Sequence, residues 1–334
     1  MRRAVRATML EPMVWSQGVG KRAINEGRGR DGVVMARDNS GNGRVTVAVI
    51  GAGIMGSAMA RNLAAAGLTT RVWDRTASAT GPLADAGAVV AASARDAVRD
   101  ADVVITMLPT ADAVESVMFD GQVAEAFADG CVWAQMGTIG VEATLRIRDR
   151  LAARRPGVMF VDAPVSGSKG PAEQGQLLIL ASGPAAAADA VRPVFDVIGR
   201  KTVWLGEAGR GSQVKLVVNA YLSILIEGVA ETMELADRLG IGHQQLAEVI
   251  EGGPLDAPLA DAKFHKMDRG DFATEFPLEW ALKDVDLVIG AAGGQALPLL
   301  AALSSQWHAA VAAGYGRQDI SAARLALASP SPAT

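Results

Sequence analysis

The residues best placed to do chemistry lie in one stretch, Gly209-Arg-Gly-Ser-Gln-Val-Lys215-Leu-Val-Val-Asn219. Lys215 and Asn219 are four apart, so on a helix they share one face. Val214, Leu216, Val217 and Val218 flank the lysine. An ammonium group drawn out of water holds its proton less tightly, which moves it toward the range useful for proton transfer. Asn219 would then hold the lysine or a substrate oxygen in place. A lysine snorkelling from an apolar helix has the same pattern, and on the residues alone both readings stand.

A second stretch, Asp162-Ala-Pro-Val-Ser-Gly-Ser-Lys-Gly170, follows a strand-like run. Pro164 and Gly167 favour a turn, and Ser166 and Ser168 offer hydroxyls. N–H and O–H donors exposed at the carboxyl end of a strand suit a carboxylate ligand. A plain Ser/Gly loop is the other reading. The chain contains no H-E-x-x-H and no Cys/His or carboxylate cluster at metal-ligand spacing, so no metal is expected. His243, His265 and His308 are scattered and read as surface or cap residues, which leaves acid–base work to another group.

A third stretch supplies a cofactor site. Val45 to Thr76 reads as strand, glycine turn, helix and strand. The turn Gly51-Ala52-Gly53-Ile54-Met55-Gly56 is a G-x-G-x-x-G. In that fingerprint the first glycine permits the tight turn, the second lets the backbone approach a pyrophosphate, and the third allows close helix packing. The pyrophosphate rests on free N–H groups at the helix N-terminus. Asp74 closes the second strand about 20 residues after the turn, the spacing of the acidic residue that meets a ribose.

These groups need a frame. Strand patterns at Val45–Ile50, Thr70–Trp73, Val103–Met107, Val132–Gln135, Val158–Asp162 and Leu177–Ala181 alternate with helical patterns, which predicts a doubly wound, mostly parallel sheet. After Gly211 the strand signals stop. One long helix, Ser212 to Leu239, is followed by helical patterns at His243–Glu251, Pro258–Lys266, Leu278–Gly290 and Pro298–Ala313. The expected class is therefore α/β: a Rossmann-type dinucleotide-binding domain over residues 45–208, then an all-helical domain over 209–328, joined through the long helix. That helix approaches membrane-span length, but Lys215, Asn219 and Glu227 interrupt it, so a buried position in a helical domain is expected.

Bulk properties narrow the class. The 334 residues carry a net charge of −4, with 50% hydrophobic and 4% aromatic residues. This is a globular composition with no general argument for nucleic acid or an anionic membrane surface. Residues 1–44 hold nine Lys/Arg and four Asp/Glu, and the rest of the chain is net −9. This basic segment lacks a sustained period and reads as a disordered tail or as sequence upstream of a start at Met35. It lacks the interleaved aromatics of a single-strand binder. Its acidic residues and scarce serines count against a transit peptide. Residues 329–334 read as a frayed tail. A single cysteine, Cys131, excludes an intrachain disulfide, fits the reducing cytoplasm and reads as a buried inert thiol.

Taken in order, these motifs resemble those of the β-hydroxyacid dehydrogenase family over roughly Val45 to Leu325. The family's G-x-G-x-M-G matches Gly51 to Gly56, with Ile54 and Met55 between. Its D-A-P-V-S-G matches Asp162 to Gly167. Its G-x-G-x-x-x-K-x-x-x-N matches Gly209 to Asn219, and a later Lys-Asp pair matches Lys283-Asp284. Thr106-Met-Leu108-Pro109 matches a loop beside the dinucleotide. Ser166 to Gly183 looks most like the glyoxylate/succinic semialdehyde reductase branch. The resemblance implies an NAD(P)-dependent oxidoreductase that interconverts a short hydroxy acid and its aldehyde or keto acid. Lys215 would be the general acid/base, with Asn219 orienting it. Ser166, Gly167 and Ser168 would bind a small carboxylate substrate, Thr138 would lie near the nicotinamide ribose, and Lys283 would approach the cofactor. It also implies a homodimer or homotetramer. Gly137-Thr138 departs from the family's Ser-Thr, and Ser168 replaces a common glycine. Asp74 favours NAD, whereas Arg75-Thr76 resembles the pair that holds the NADP phosphate, and the balance tips slightly to NADP. An imine reductase or a silent nucleotide-binding scaffold are the alternatives; Lys215 argues against both.

Overall fold

The computed structural model describes residues 45–327. The readings for residues 1–44 and 329–334 lie outside the described residues. In chain order the first elements are β1 (Thr46–Ile50), α1 (Ile54–Ala65), β2 (Thr69–Trp73), α2 (Ala77–Ala84), β3 (Val89–Val90), α3 (Ala94–Val98), β4 (Val103–Thr106), α4 (Ala111–Glu115), β5 (Val132–Gln135), α5 (Val141–Arg154) and β6 (Met159–Asp162). The strands form one six-stranded sheet in the order β3-β2-β1-β4-β5-β6, with every pairing parallel.

Two apolar layers cover the sheet because successive side chains of a strand point to opposite faces. Along β1, Val47 and Val49 join Met59 and Leu63 of α1, whereas Ala48 and Ile50 join Ala97 of α3 and Ile147 of α5. Central strands buried on both faces read as continuous apolar runs. Cys131 lies just before β5, buried, and burial pushes its thiol up to about 12.

The chain continues through β7 (Val165–Ser166), α6 (Lys169–Glu173), β8 (Leu177–Ala181), α7 (Ala187–Ile198) and β9 (Gly199–Trp204). Here the structure corrects the sequence reading. Leu177–Ala181 is a strand, but it belongs to a separate three-stranded sheet, β7-β8-β9. β7 pairs antiparallel with β8, and β9 pairs parallel. The link from Ser166 to Leu177 is shorter than the dozen or more residues a parallel crossover needs, so the chain returns antiparallel. β9 carries Arg200 and Lys201 and gave no strand signal. β3 and β7, two residues each, are too short to show a period.

From Arg210 the chain is helical: α8 (Arg210–Leu239), α9 (His243–Ile250), α10 (Pro258–Asp268), α11 (Leu278–Ala291) and α12 (Pro298–Ala310). Pro258 and Pro298 occupy first-turn positions, where a missing N–H costs nothing. α8 ends on Gly240 in the left-handed region, with the Ile241 N–H closing on the Ala236 carbonyl. By length and composition α8 could cross a membrane. Its apolar residues Ile226, Ala230 and Met233 instead pack with Phe264 of α10, Val285 of α11 and Trp307 of α12.

α8 also buries polar groups. Lys215, Asn219, Ser223 and Glu227 recur every four residues, and all are buried. Trp307 Nε1 donates to Glu227 Oε2 at 2.6 Å, while Oε1 has no hydrogen-bond partner among the described residues. Burial raises the Glu227 carboxyl from 4.5 to about 7, against the Trp307 hydrogen bond and with Glu231 adding repulsion. The folded state therefore holds a proton that the unfolded chain releases near 4.5. Stability contributed by the protonated form is lost as pH rises from about 4.5 to about 7. Glu227→Gln should raise stability by up to roughly 3 kcal/mol at pH 8 and by much less near pH 5. Urea unfolding at both pH values checks this; an equal gain at both would mean that the Glu227 proton is not responsible.

Candidate active site

The glycine turn connects β1 to α1. Gly51 has φ +103° and donates its N–H to the Trp73 carbonyl at 2.9 Å. A Cβ on Gly56 would lie 1.9 Å from the Gly51 carbonyl oxygen, so the third glycine is required by the turn itself. A Cβ on Gly53 would meet nothing within 4 Å. Gly53 caps α1 without any side-chain hydrogen bond, and Gly53 and Ile54 are exposed while Met55 is half-buried. Open space over an uncapped helix N-terminus is what a dinucleotide's pyrophosphate needs. Asp74 is turned toward the turn: its Oδ2 accepts from the Ala52 N–H at 2.7 Å and its Oδ1 from the Thr76 N–H at 2.8 Å. Arg75 and Thr76 beside it are exposed.

Two further loops meet this turn. Positions for a Cβ on Gly51 and on Gly137 lie 2.5 Å from the Met107 carbonyl oxygen and 2.3 Å from that of Leu108. The Met107-Leu108-Pro109 segment thus bridges the glycine turn and the Gly137-Thr138 segment after β5. Gly137 is fixed by Gln135, whose Nε2 donates to the Gly137 carbonyl at 2.7 Å and whose Oε1 accepts from its N–H at 3.2 Å. The sequence reading took Gly137 as a lost hydroxyl. In this backbone conformation no serine fits without displacing the Leu108 carbonyl.

The helical half brings Lys215, Asn219, Lys283 and Asp284 together. Lys283 Nζ donates to the Thr138 carbonyl and forms an ion pair with Asp284 Oδ1 at 2.8 Å. Asn219 Nδ2 donates to Asp284 Oδ2 at 2.6 Å. That bond fixes the amide orientation and leaves Asn219 Oδ1 buried with no hydrogen-bond partner among the described residues. Lys215 is buried, and burial lowers its pKa from 10.5; the Asp284 charge opposes that shift and the Lys283 charge adds to it. The sequence reading attributed desolvation to flanking valines. Val217 is in fact 71% exposed, and the burial comes from the packing of α8. Asp284, the counter-charge, was read only as part of a Lys-Asp pair; a buried carboxylate beside two lysines could not be seen without the fold.

The serine loop forms a third group. Ser166 lies in β7, Gly167 has φ +134°, and Ser168 caps α6. It is tied to α8 through Asp162, whose Oδ2 accepts from the Ser212 N–H at 2.8 Å. His243 bridges Asp237 and Asp268, and His265 and His308 pair with Asp261 and Asp286, all on the helical half and apart from this cluster. Among the described residues no group of His, Cys, Asp or Glu could hold a metal ion.

Comparison with known proteins agrees with this arrangement. Residues 46–206 match the family described as the NAD binding domain of 6-phosphogluconate dehydrogenase. Residues 209–327 match the one described as NAD-binding of NADP-dependent 3-hydroxyisobutyrate dehydrogenase. Glyoxylate/succinic semialdehyde reductase 1 of Arabidopsis thaliana is 35% identical over 83% of this chain and 96% of its own. An NAD-dependent L-serine dehydrogenase of Pseudomonas aeruginosa is 34% identical over 82% and 95%. The crystal structure of a 3-hydroxyisobutyrate dehydrogenase from Salmonella typhimurium, 30% identical, superposes with a TM-score of 0.78 over 84% of this chain and 99% of its own. With a nucleotide-binding sheet, a helical half carrying a buried lysine, and relatives of this kind along nearly its whole described length, the chain belongs to the β-hydroxyacid dehydrogenase family and is an NAD(P)-dependent oxidoreductase of hydroxy acids and their aldehyde or keto-acid partners.

Proposed function

We propose that the enzyme reduces a short aldehyde or keto acid, and oxidises the matching hydroxy acid, with Lys215 as general acid and base. A bound nicotinamide cofactor supplies or accepts the hydride at its C4. Lys215 gives a proton to the oxygen that becomes the hydroxyl and, in the reverse direction, takes it back. Its positive charge stabilises negative charge building on that oxygen, an effect strengthened where water is excluded. The observation that carries this reading is a buried lysine with a lowered pKa whose surroundings supply an opposite charge, Asp284, and a free acceptor, Asn219 Oδ1. That acceptor suits a substrate hydroxyl. Ser166, Gly167 and Ser168 supply donors for the substrate carboxylate. Gly51, Gly53, Ile54, Met55 and Gly56 hold the pyrophosphate, and Leu108, Pro109, Thr138 and Lys283 line the nicotinamide side.

We infer a preference for NADP. Both oxygens of Asp74 accept backbone N–H groups, which offsets its charge and turns it from the ribose edge. Exposed Arg75 and Thr76 then suit a 2′-phosphate. We also infer a homodimer. Ile224, Leu225 and Val229 of α8 line a groove of about 400 Å³ with Leu255 and Phe264. Tyr221, which also lines this groove, and Val217 stand exposed on α8, and a two-fold related copy would bury them together with the groove.

Oxidation of NADPH and NADH should be followed with glyoxylate, succinic semialdehyde, methylmalonate semialdehyde, tartronate semialdehyde and a cyclic imine. An aldehyde acid is expected to turn over. Lys215→Ala should lower kcat by about a hundredfold to ten-thousandfold. Because reduction needs protonated Lys215, its rate should fall on the alkaline side through a pKa below 10.5. Faster imine turnover that is indifferent to Lys215 would replace this reading with an imine reductase. Arg75→Ala should raise KM for NADPH by about tenfold or more and leave that for NADH nearly unchanged, since only a 2′-phosphate needs the cation; equal changes for both cofactors would sink the NADP assignment. In sedimentation, Tyr221→Asp should convert a dimer or larger assembly to monomer, and a monomeric wild type would overturn the interface.

A further inference from the structure

Asp162 is a carboxylate with no exposed surface and, among the described residues, no charged neighbour to balance it. What compensates it is a set of dipoles. Its Oδ2 accepts from the backbone N–H groups of Gly209 at 3.1 Å and Ser212 at 2.8 Å, and from the Ser182 hydroxyl at 3.1 Å. Its Oδ1 accepts from the Ser212 hydroxyl at 2.8 Å. Ser182 Oγ in turn accepts from the Gly211 N–H at 2.9 Å, and Ser212 Oγ lies 3.1 Å from Thr144 Oγ1 of α5.

Apart from Ser182, which follows β8, these donors belong to the start of α8. The first N–H groups of a helix have no intrahelical partner, and the usual remedy is an oxygen on the capping residue. Gly209 occupies that position and has no side chain to offer. The cap comes from 47 residues earlier in the chain, at the carboxyl end of β6. The close approach is enforced by Gly211, where a Cβ would lie 2.2 Å from the Leu180 carbonyl oxygen and 2.9 Å from that of Asp162. A negative charge at this end also complements the helix dipole. Lys215 follows Ser212 by about one turn, so the turn that Asp162 grips leads directly into the one from which the lysine projects.

We propose that Asp162 is a positioning residue for Lys215: its carboxylate locks the first turn of α8 to the carboxyl end of β6 and thereby fixes where the lysine presents its proton. This rests on the reading of Lys215 as acid and base. Proton transfer demands placement within a fraction of an ångström, and misplacement by about 1 Å can cost on the order of a hundredfold in rate. The same grip holds the start of the Ser166-Gly167-Ser168 loop, four residues after Asp162, in register with the lysine.

Two variants test it. Asp162→Asn keeps the shape and one acceptor but loses the charge; Ser212→Ala removes one hydroxyl and leaves the carboxylate. Each is compared with wild type by thermal unfolding, NADPH binding by fluorescence, kcat and its pH profile with the aldehyde acid turned over best, and the pH midpoint of Lys215 reductive methylation read by mass spectrometry. NADPH affinity should stay within about twofold while Asp162→Asn lowers kcat by roughly tenfold to a hundredfold, with a smaller loss for Ser212→Ala. The alkaline limb and the methylation midpoint should move together. A lower melting temperature with kcat and midpoint unchanged would make Asp162 a stability residue only and overturn the proposal. Should Asp162→Asn fail to fold, an unchanged Lys215 midpoint in Ser212→Ala overturns it as well. The methylation arm needs no substrate. If wild type turns over no aldehyde acid, the acid–base reading fails separately, and the midpoint still reports whether Asp162 places the lysine.

Discussion

An ammonium group taken out of water must be compensated where it lies, and the site is built around that requirement. Lys215 is buried on α8, and its compensation arrives from α11 as Asp284. Burying a carboxylate brings its own cost, which is met by the Asn219 amide on one oxygen and by Lys283 on the other. Lys283 then donates to the Thr138 carbonyl, on the segment that leaves the parallel sheet. A single chain of charge compensation therefore runs from the helical half to the nucleotide half. Removing Asp284 would do more than unbalance the lysine, because it would also release the contact that sets the distance between the two halves.

Three of the buried carboxyl groups among the described residues, those that meet α8, are satisfied in three ways, and the differences sort structure from chemistry. Asp284 is held by an amide and a cation and stands beside the buried Lys215. Asp162 is held by backbone and hydroxyl dipoles at a helix start, which give direction without a mobile charge. Burial still raises its pKa, and its hydrogen bonds oppose the rise. Glu227 has one indole N–H and, among the described residues, no partner on its other oxygen, and burial raises its carboxyl to about 7. All three meet α8, whose 30 residues are interrupted on one side by the buried Asn219, Ser223 and Glu227. Those interruptions form a single face directed at the other helices, while Val217 and Tyr221 remain outside.

Much of this was legible in the sequence because it rests on local rules. The glycine turn, the positions of the central strands along the chain and the starts of α9, α10, α11 and α12 follow from spacing, periodicity and Pro or Gly punctuation. The four-residue spacing of Lys215 and Asn219 placed them on one face. Non-local partners were not legible. Nothing near Asp162 announces that it caps a helix beginning at residue 210, and nothing near Lys215 names Asp284 as its counter-charge. The second sheet was missed for a related reason. β9 carries Arg200, Lys201 and Thr202, so its pairing with β8 rests on the backbone and not on an apolar pattern. The valines around Lys215 suggested the right consequence through the wrong cause, since the desolvation comes from the packing of α8.

Gly137 shows how a departure from a family pattern can be structural before it is functional. Losing a serine beside Thr138 looks at first like a loss of hydrogen bonding at the cofactor edge. The surroundings indicate otherwise. Gln135 satisfies both backbone groups of Gly137, and its Oε1 also accepts from Thr106 Oγ1 at 3.1 Å. Trp133 Nε1 donates to the same threonine oxygen at 2.9 Å. Trp133, Thr106 and Gln135 are all fully buried, so this relay is shielded from water. The missing Cβ lets the Leu108 carbonyl close on the segment, and the glutamine amide then fixes it from below. The segment carrying Thr138 is therefore held at both ends, by Gln135 from the sheet and by Lys283 from the helices. A glycine that would ordinarily loosen a loop here permits a tighter one, and the position of the Thr138 segment relative to the helical half is set by Gln135 from the sheet and Lys283 from α11.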